Sequence, residues 1–268
     1  MEPNIMGRSV ADVLGEALAA GSESPLVVAP DPPTIEGLVE VLDESSPSVR
    51  LLSDADTLRS VMDDFLVAGR AADHVEAGRL EIRADDDGTN ALLLTGTSVL
   101  AIVRADGRAA GLRTDDEAFV ESTEERFETA WEDAELYTLR TPSLARVRET
   151  MEAELGESTA ADFDAVLSAL DDGGGPAALD EVTASILVAA KNENLLYDIS
   201  KWGEDVGIAS KATFSRTKTR MEETGVIETE KVPIDVGRPR LRLKLADDRL
   251  ENADAPELVA AVASMLDE

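Results

Sequence analysis

The stretch "SKATFSRTKTRMEETGVI", residues 210–227, gathers four basic side chains into positions 211–220 of a chain whose formal net charge is −31. Ser210 can accept hydrogen bonds from the free amides of a first helical turn, which predicts a helix that begins at Lys211. Positive charge concentrated on one helix of so acidic a chain is typical of a nucleic-acid contact.

The predicted helix has two chemically different faces. Phe214 and Met221, seven positions apart, share an apolar face, and Ala212 and Thr217 lie partly on it. The other face carries hydroxyl and guanidinium groups, on Ser215, Arg216, Thr219 and Arg220. A helix with these two faces suits the major groove of DNA.

Two further helices are predicted before this one. Asp180 can cap the first, which buries residues such as Ile186, and the second carries Trp202 on its apolar side. Gly207 supplies the turn into the helix that begins at Lys211. We interpret Trp202 as a core residue rather than a stacking platform for a base.

A β-hairpin is predicted after the helix, from Ile227–Val232 and Arg240–Leu245. Leucines alternate with Arg240, Arg242 and Lys244 in its second strand, so one side is expected to be buried and the exposed side to be wholly basic. Three helices followed by a hairpin make a winged helix-turn-helix.

The charge is distributed unevenly along the chain. Residues 1–175 hold 13 Lys and Arg against 38 Asp and Glu, a net charge of −25, and residues 248–268 have a net charge of −5. Residues 176–247 hold 11 basic against 12 acidic residues and include all six lysines. This nearly neutral segment coincides with the predicted winged helix, and nucleic acid is the partner that such a segment favours.

The acidic excess of the whole chain indicates adaptation to molar salt. The 56 Asp and Glu accompany 43% hydrophobic residues, which is unlike the composition of a disordered chain. At an ionic strength of 1 M the Debye length is about 3 Å, so repulsion between surface carboxylates is largely screened. An ordinary acidic protein remains the alternative.

An α/β domain is predicted for residues 1–140, from the alternation of short apolar runs with helical periodicity. A strand at 25–29, a helix around Ile35 and a strand at 49–52 suggest a βαβ unit with a parallel pair. A helix is predicted from Val10, capped by Ser9 and ended by Gly21, and a single later helix carries Leu58, Val61, Met62, Phe65 and Leu66. A strand at 80–83 follows, and then three strands within 90–114 with turns at Gly96 and at Asp106 and Gly107. A helix at 117–135 ends the domain.

Four segments follow from these patterns: an effector or assembly domain at 1–140, a helical connector with a glycine-rich linker at 141–178, the winged helix at 179–247, and a last helix at 248–268. The linker is predicted from "DDGGGP" at 171–176, which breaks all periodicity. The two connector helices and the last helix, with Leu258, Val259, Val262, Met265 and Leu266 on one face, are candidates for a homodimer contact.

Residues 210–227 and the "VGRPR" wing at 236–240 resemble archaeal winged-helix transcription regulators, and the whole layout resembles the haloarchaeal TbsP regulators. The N-terminal part is similar in architecture to the effector domain of TrmB-type sugar-responsive regulators. This resemblance implies a regulator of sugar or central carbon metabolism with a sugar or sugar-phosphate effector. Lys218 departs from the pattern, because such helices usually carry an aliphatic residue four positions after Phe214.

Catalysis finds little support in the sequence. TrmB-type effector domains resemble the phospholipase D fold, whose chemistry needs His-x-Lys pairs, whereas His74 is the single histidine and residues 1–175 contain no lysine. No phosphate-binding loop or metal-ligand motif is present, and the chain has no cysteine. A turn at 95–98 could hold a phosphate, but a hairpin turn is the simpler interpretation. We therefore expect a protein that is not an enzyme and uses no cofactor or metal. Because no apolar run approaches the roughly 20 residues needed to span a bilayer, we also expect it to be soluble and cytoplasmic.

The resulting hypothesis is a DNA-binding transcription regulator, with double-stranded promoter DNA as its partner. A winged helix that binds protein in the transcription machinery is the alternative. Arg216 and Arg220 could instead be solvated charges, and Arg238 could merely stiffen the wing turn rather than enter a minor groove. The predicted DNA contacts are Ser210, Lys211, Thr213, Ser215, Arg216, Thr219, Arg220, Arg238, Arg240 and Arg242.

Overall fold

The computed structural model of the chain describes residues 4–20, 24–85, 90–173, 179–234 and 239–266. These residues form two compact units, Met1–Ser143 and Leu144–Glu268. The α/β fold predicted for the first unit and the winged helix-turn-helix predicted for the second are both confirmed.

In the first unit one mixed sheet, of eight strands among the described residues, has the order β1-β7-β6-β5-β2-β3-β4-β8. Its elements are β1 (Ile5–Gly7), α1 (Val10–Ala19), β2 (Leu26–Val28), α2 (Pro32–Val41), β3 (Val49–Ser53), α3 (Ala55–Met62), α4 (Phe65–Glu76), β4 (Leu80–Ala84), β5 (Leu92–Leu94), β6 (Val99–Ala105), β7 (Arg108–Thr114), α5 (Glu117–Asp133) and β8 (Glu135–Leu136). The pairs β2–β3 and β3–β4 are parallel, and the other pairs are antiparallel. The predicted βαβ unit is therefore confirmed.

Aspartates begin most of these helices. Asp31, Asp54 and Asp116 each accept a hydrogen bond from an amide of the first turn that follows, and Ser9 forms a capping box with Asp12. A carboxylate at this position also faces the positive end of the helix dipole. Part of the acidic excess therefore has a structural use at helix starts.

The single helix predicted to carry Leu58 and Phe65 is wrong, because the chain forms two helices there. Asp64 accepts hydrogen bonds from the amides of Leu66 and Val67, which starts α4 directly after α3 ends. A short acidic side chain that bonds to nearby amides competes with helix continuation. The predicted helix end at Gly21 lies outside the described residues.

Two polar features of this unit have structural roles. His74 is buried, with Nε2 3.2 Å from the carbonyl oxygen of Val39, and the Nε–H of Arg79 donates to its Nδ1. Burial lowers the pKa of His74 below its ordinary value. The segment 95–98 forms the turn of the β5–β6 hairpin, where the Thr95 amide donates to the carbonyl of Ser98.

The second unit contains α6 (Leu144–Leu155), α7 (Glu157–Gly173), α8 (Glu181–Lys191), α9 (Leu196–Val206), α10 (Lys211–Glu223), β9 (Ile227–Val232), β10 (Arg240–Leu245), α11 (Asp248–Glu251) and α12 (Ala255–Leu266). Trp202 of α9 is fully buried, as the sequence predicts. Its indole Nε1–H donates to the Thr150 hydroxyl at 3.0 Å, and its ring meets Phe163 edge to face. Helices α6 and α7 therefore pack directly on the winged helix.

Of the predicted linker at 171–176, residues 171–173 instead belong to α7, and residues 174–176 lie outside the described residues. Helices α7 and α8 pack together within the second unit. The last helix, α12, packs against α7 and buries Leu258 and Val262. The apolar face that made this helix a candidate dimer contact is thus covered within the same unit.

Candidate nucleic-acid interface

Helix α10 begins and packs as predicted. The Ser210 hydroxyl accepts from the amide of Thr213 at 3.2 Å, and Phe214 and Met221 are fully buried. Gly207, with φ of 98°, makes the left-handed turn between α9 and α10, and the amide of Ile208 donates back to the carbonyl of Gly203 at 2.8 Å. These contacts fix the direction in which α10 leaves the core.

The crossing of α9 and α10 depends on a glycine that has no room for a side chain. A Cβ at Gly203 would lie 2.3 Å from Cζ of Phe214 and 2.4 Å from its Cε2. Because the Phe214 ring is fully buried, it has no free space into which it can turn. Gly203 therefore sets how closely the two helices approach.

Replacing Gly203 by alanine is expected to destabilise the second unit by about 1 to 3 kcal/mol, because overpacking outweighs the better helix propensity of alanine. Urea unfolding followed by circular dichroism measures this. The double variant Gly203→Ala, Phe214→Leu should recover part of the loss, since it removes the clashing ring atoms. An alanine variant as stable as the wild type would show that α9 and α10 do not cross this closely.

The outward side of α10 carries the predicted hydroxyl and guanidinium groups. Ser215, Arg216, Thr219 and Arg220 are all exposed, as expected from their spacing. The guanidinium of Arg216 donates to the Thr213 hydroxyl at 3.3 Å, which holds it along the first two turns of the helix. The prediction that Ala212 lies partly on the apolar face is wrong, because this residue is exposed in the first turn of α10.

Lys218 lies at the edge of the core rather than on the outward side. Its ammonium is 2.6 Å from Oε2 of Glu222, and the hydroxyl of Thr229 in β9 donates to Oε1 of the same carboxylate at 2.7 Å. Burial alone would raise the pKa of Glu222, but these two hydrogen bonds outweigh it and leave the pKa below its ordinary value. This bridge joins α10 to the wing.

Lys211 is paired within the free protein. Its ammonium is 2.7 Å from Oε2 of Glu204 in α9, and its amide donates to Oε1 of the same carboxylate at 3.3 Å. The hydrogen bond from Lys211 lowers the pKa of Glu204, and the same bond raises the pKa of Lys211. A phosphate that binds Lys211 therefore competes with Glu204 for its ammonium.

The expectation of a wholly basic exposed face on the wing is wrong, because acidic side chains of β9 share that face. Arg240 pairs with Asp198 at 3.2 Å, and its guanidinium also stacks on the ring of Tyr197, 4.0 Å from the ring centre. Arg242 lies 3.7 Å from both Glu193 and Glu230, and Lys244 lies 3.0 Å from Glu230. The cause is cross-strand register, since Arg242 stands directly opposite Glu230.

The hairpin strands begin and end where the sequence predicts, but the wing has a further pairing. Leu195 bridges to Arg242, and the amide of Leu243 donates to the carbonyl of Asn194 at 3.0 Å. The wing turn, including Arg238, lies outside the described residues.

Three cations of the winged helix have no carboxylate partner within the described ranges: Arg216, Arg220 and Lys231. Two of them lie on the outward side of α10, and Lys231 is exposed on β9. Lys231 is not among the DNA contacts predicted from the sequence. Its position next to Val232 at the wing turn is a signal that could have found it, because a strand end beside a wing commonly approaches a phosphate.

Neither a metal site nor a membrane span is present among the described residues. Groups of three or more His, Asp or Glu side chains placed to hold a metal ion do not occur there. No described helix combines the length and apolar composition that crossing a bilayer requires.

Residues 2–142 match the family model described as transcriptional regulator TbsP-like, N-terminal, and residues 143–263 match transcriptional regulator TbsP-like, C-terminal HTH domain. Both families are regulator domains rather than enzymes. No curated protein has a matching sequence.

Among solved structures, the chain is similar to one titled "Structure of TrmBL2, an archaeal chromatin protein, shows a novel mode of DNA binding", with 18% identity and a TM-score of 0.36. The match covers 51% of this chain and 54% of TrmBL2, so it spans about half of each protein. A score this low does not identify a common fold, and the assignment rests on the two family models. Since these cover both units, the chain belongs to the TbsP-like family of transcriptional regulators.

Proposed function

We propose that this chain is a sequence-specific DNA-binding regulator that works in the cytoplasm as a homodimer. The observation that carries this proposal is the outward side of α10, where Arg216 and Arg220 are exposed and have no carboxylate partner among the described residues. Unpaired guanidinium groups on a helix of this kind are suited to guanine edges in the major groove. In a protein with a net charge of −31, two such guanidinium groups on one side of a helix favour an anionic partner.

The remaining contacts follow from the same docking. Ser210 and Thr213 at the start of α10, with Ser215 and Thr219 on its outward side, would bind phosphate oxygens and fix the register of the helix. Lys231 would contact the backbone beside the wing, and Arg238 would reach the adjacent minor groove. Arg240 and Arg242 would bind phosphates only after their ion pairs with carboxylates break.

The biological setting is part of the proposal. Dimers of such domains bind two half-sites about one helical turn apart, which is why we include a homodimer. The acidic composition supports a cell interior with molar salt. The resemblance of the sequence to TrmB-type regulators supports control of sugar or central carbon metabolism, with the first unit sensing a sugar or sugar phosphate or mediating assembly.

The test of this function is selection of bound fragments from genomic DNA of the source organism in molar KCl, with and without sugars and sugar phosphates. A shared sequence in the bound fragments, with affinity for it well above that for unrelated DNA, is the expected result. Fragments that share no sequence would contradict specific DNA binding.

The ion pairs of the wing favour a second function, which is binding to another protein. Arg240, Arg242 and Lys244 are all paired with carboxylates in the free protein, so their strand presents little net charge. A wing of this kind suits a protein partner in the transcription machinery. Fragment selection separates the two, because a protein-binding winged helix should show no sequence preference.

Removing Glu204 is expected to strengthen binding to every DNA sequence alike, because Lys211 then reaches a phosphate without exchanging a partner. Glu204→Gln should raise affinity, whereas Lys211→Ala should weaken it for all sequences and reduce the salt slope by about 1. Fluorescence anisotropy titrations over a range of KCl concentrations measure both.

The matched control is Asp205→Asn, which removes the neighbouring carboxylate, paired with Lys201 at 2.6 Å. An equal gain from Asp205→Asn and Glu204→Gln would mean that only net charge matters. In that case Lys211 has no phosphate contact of its own.

A further inference from the structure

The sheet of the first unit is covered unequally on its two faces. One face packs against α1, α2, α3 and α4 and forms the larger apolar core. On the other face, α5 places Val120, Phe127 and Trp131 over the middle strands. Strands β6, β7 and β1 continue beyond the residues that α5 covers.

The register of these three strands puts apolar residues side by side on that second face. Met6 of β1 pairs with Ala110 of β7, and Ala110 pairs with Val103 of β6. Leu112, two positions along β7, points to the same side. We call Met6, Val103, Ala110 and Leu112 the open sheet face.

The open sheet face is exposed to solvent. Met6 is 59% exposed, Leu112 47% and Val103 44%, whereas Ile5, on the opposite side of the same strand, is 6% exposed. Phe119 in the first turn of α5, the helix on this side of the sheet, is 51% exposed. Large apolar side chains gathered on one surface mark an interaction site.

Charge is distributed around this surface in a complementary way. Strands β1, β6 and β7 contain no carboxylate, and of their three arginines only Arg108 alternates onto the open sheet face, while Arg104 and Arg113 point to the opposite face. Helix α5 beside them contains seven Asp and Glu against one arginine. A second copy brings both an apolar strand surface and an acidic α5, so Arg108 of each copy can face α5 carboxylates of the other.

We propose that the open sheet face binds the open sheet face of a second copy of this chain about a two-fold axis. A two-fold contact uses the same patch on both partners. This patch is self-complementary, because it combines apolar side chains with Arg108 and the carboxylates of α5. The strands of this face carry no carboxylate, so they add little to the repulsion between two chains of net charge −31. This inference names a surface for the homodimer and so rests on that part of the proposed function.

The other apolar surfaces first considered for the dimer are occupied. Leu258 and Val262 of α12 are buried inside the second unit, as are Val147 of α6 and Phe163 of α7. The exposed apolar strand residues of the first unit are therefore the better site for a partner.

Sedimentation equilibrium of the full chain in molar KCl, without DNA, tests the proposal. The wild type is expected to be a dimer, and Leu112→Glu and Met6→Glu should each raise the dissociation constant about tenfold or more, because each buries a carboxylate in an apolar contact. The matched control is Leu136→Glu, on β8 at the other edge of the same sheet, where the side chain is 67% exposed. It should leave the dissociation constant unchanged.

Two outcomes overturn the proposal in different ways. A monomeric wild type would contradict both the proposed homodimer and the proposed contact surface. A dimer unaffected by both glutamate variants, with their circular dichroism unchanged, removes the surface alone and leaves the homodimer in place.

Chemical protection gives a second readout that does not depend on a disruptive substitution, because the chain has no cysteine of its own. The single thiol of Leu112→Cys should react more slowly with a thiol reagent as protein concentration rises, and that of Leu136→Cys should not. Equal rates at all concentrations for Leu112→Cys would place the contact elsewhere.

Discussion

Replacing Phe214 by alanine should lower the free energy of unfolding of the second unit by about 3 to 5 kcal/mol. The ring is fully buried and fills the crossing between α9 and α10, where Gly203 leaves space for it. Its removal leaves a cavity that α10, tied at both ends, cannot close. Urea unfolding in molar KCl, monitored by Trp202 fluorescence in a Trp131→Phe background, measures the loss.

Arg216→Ala is the control on the same helix. Its side chain is exposed, so the free energy of unfolding should change by no more than about 0.5 kcal/mol. Equal stability of Phe214→Ala and Arg216→Ala would mean that the apolar side of α10 is not part of the core.

Arg216→Ala should also remove most of the preference for the operator while weak binding to unrelated DNA survives. An arginine that is bidentate to guanine contributes about 1 to 3 kcal/mol of discrimination, which is about 5- to 150-fold in relative affinity. Anisotropy titrations with the selected operator and a scrambled sequence, at one fixed KCl concentration, measure the ratio.

Two variants separate base reading from simple charge. Arg216→Lys keeps the charge but lacks the rigid planar fork of the guanidinium group, so it should lose part of the preference and retain general affinity. Lys231→Ala removes an exposed cation from β9 and should weaken binding to both sequences equally. If Arg216→Ala retains full preference, α10 does not read bases, and the protein-binding alternative becomes the better explanation.

Elements that are determined by residues close together in the sequence could be predicted from the sequence. The Ser210 cap, the Gly207 turn and the alternation in 240–245 fix α10 and the hairpin strands. The turn at Asp106 and Gly107 has φ of 50° and 71°, as a tight hairpin requires. Such features depend on residues a few positions apart, so the sequence reports them directly.

Features set by distant partners could not be predicted in this way. Strand β1 has three residues and pairs with β7 about a hundred positions later, so no periodicity marks it. The ion pairs of Lys211 and Arg240 likewise depend on how α9 packs beside α10 and β10. Arg242 is the exception, because matching β9 to β10 from the hairpin ends already places it opposite Glu230.

The position of Trp202 has a consequence for how such regulators can exchange parts during evolution. Its indole bonds to Thr150 of α6 and its ring meets Phe163 of α7, while Lys191 of α8 pairs with Asp162 of α7. A gene fusion joined at the glycines before α8 would separate these partners and leave apolar surface bare. The part of the chain that folds together with the DNA-binding helices therefore begins before α6. A gene fusion that keeps these contacts joins the two coding segments near residue 143.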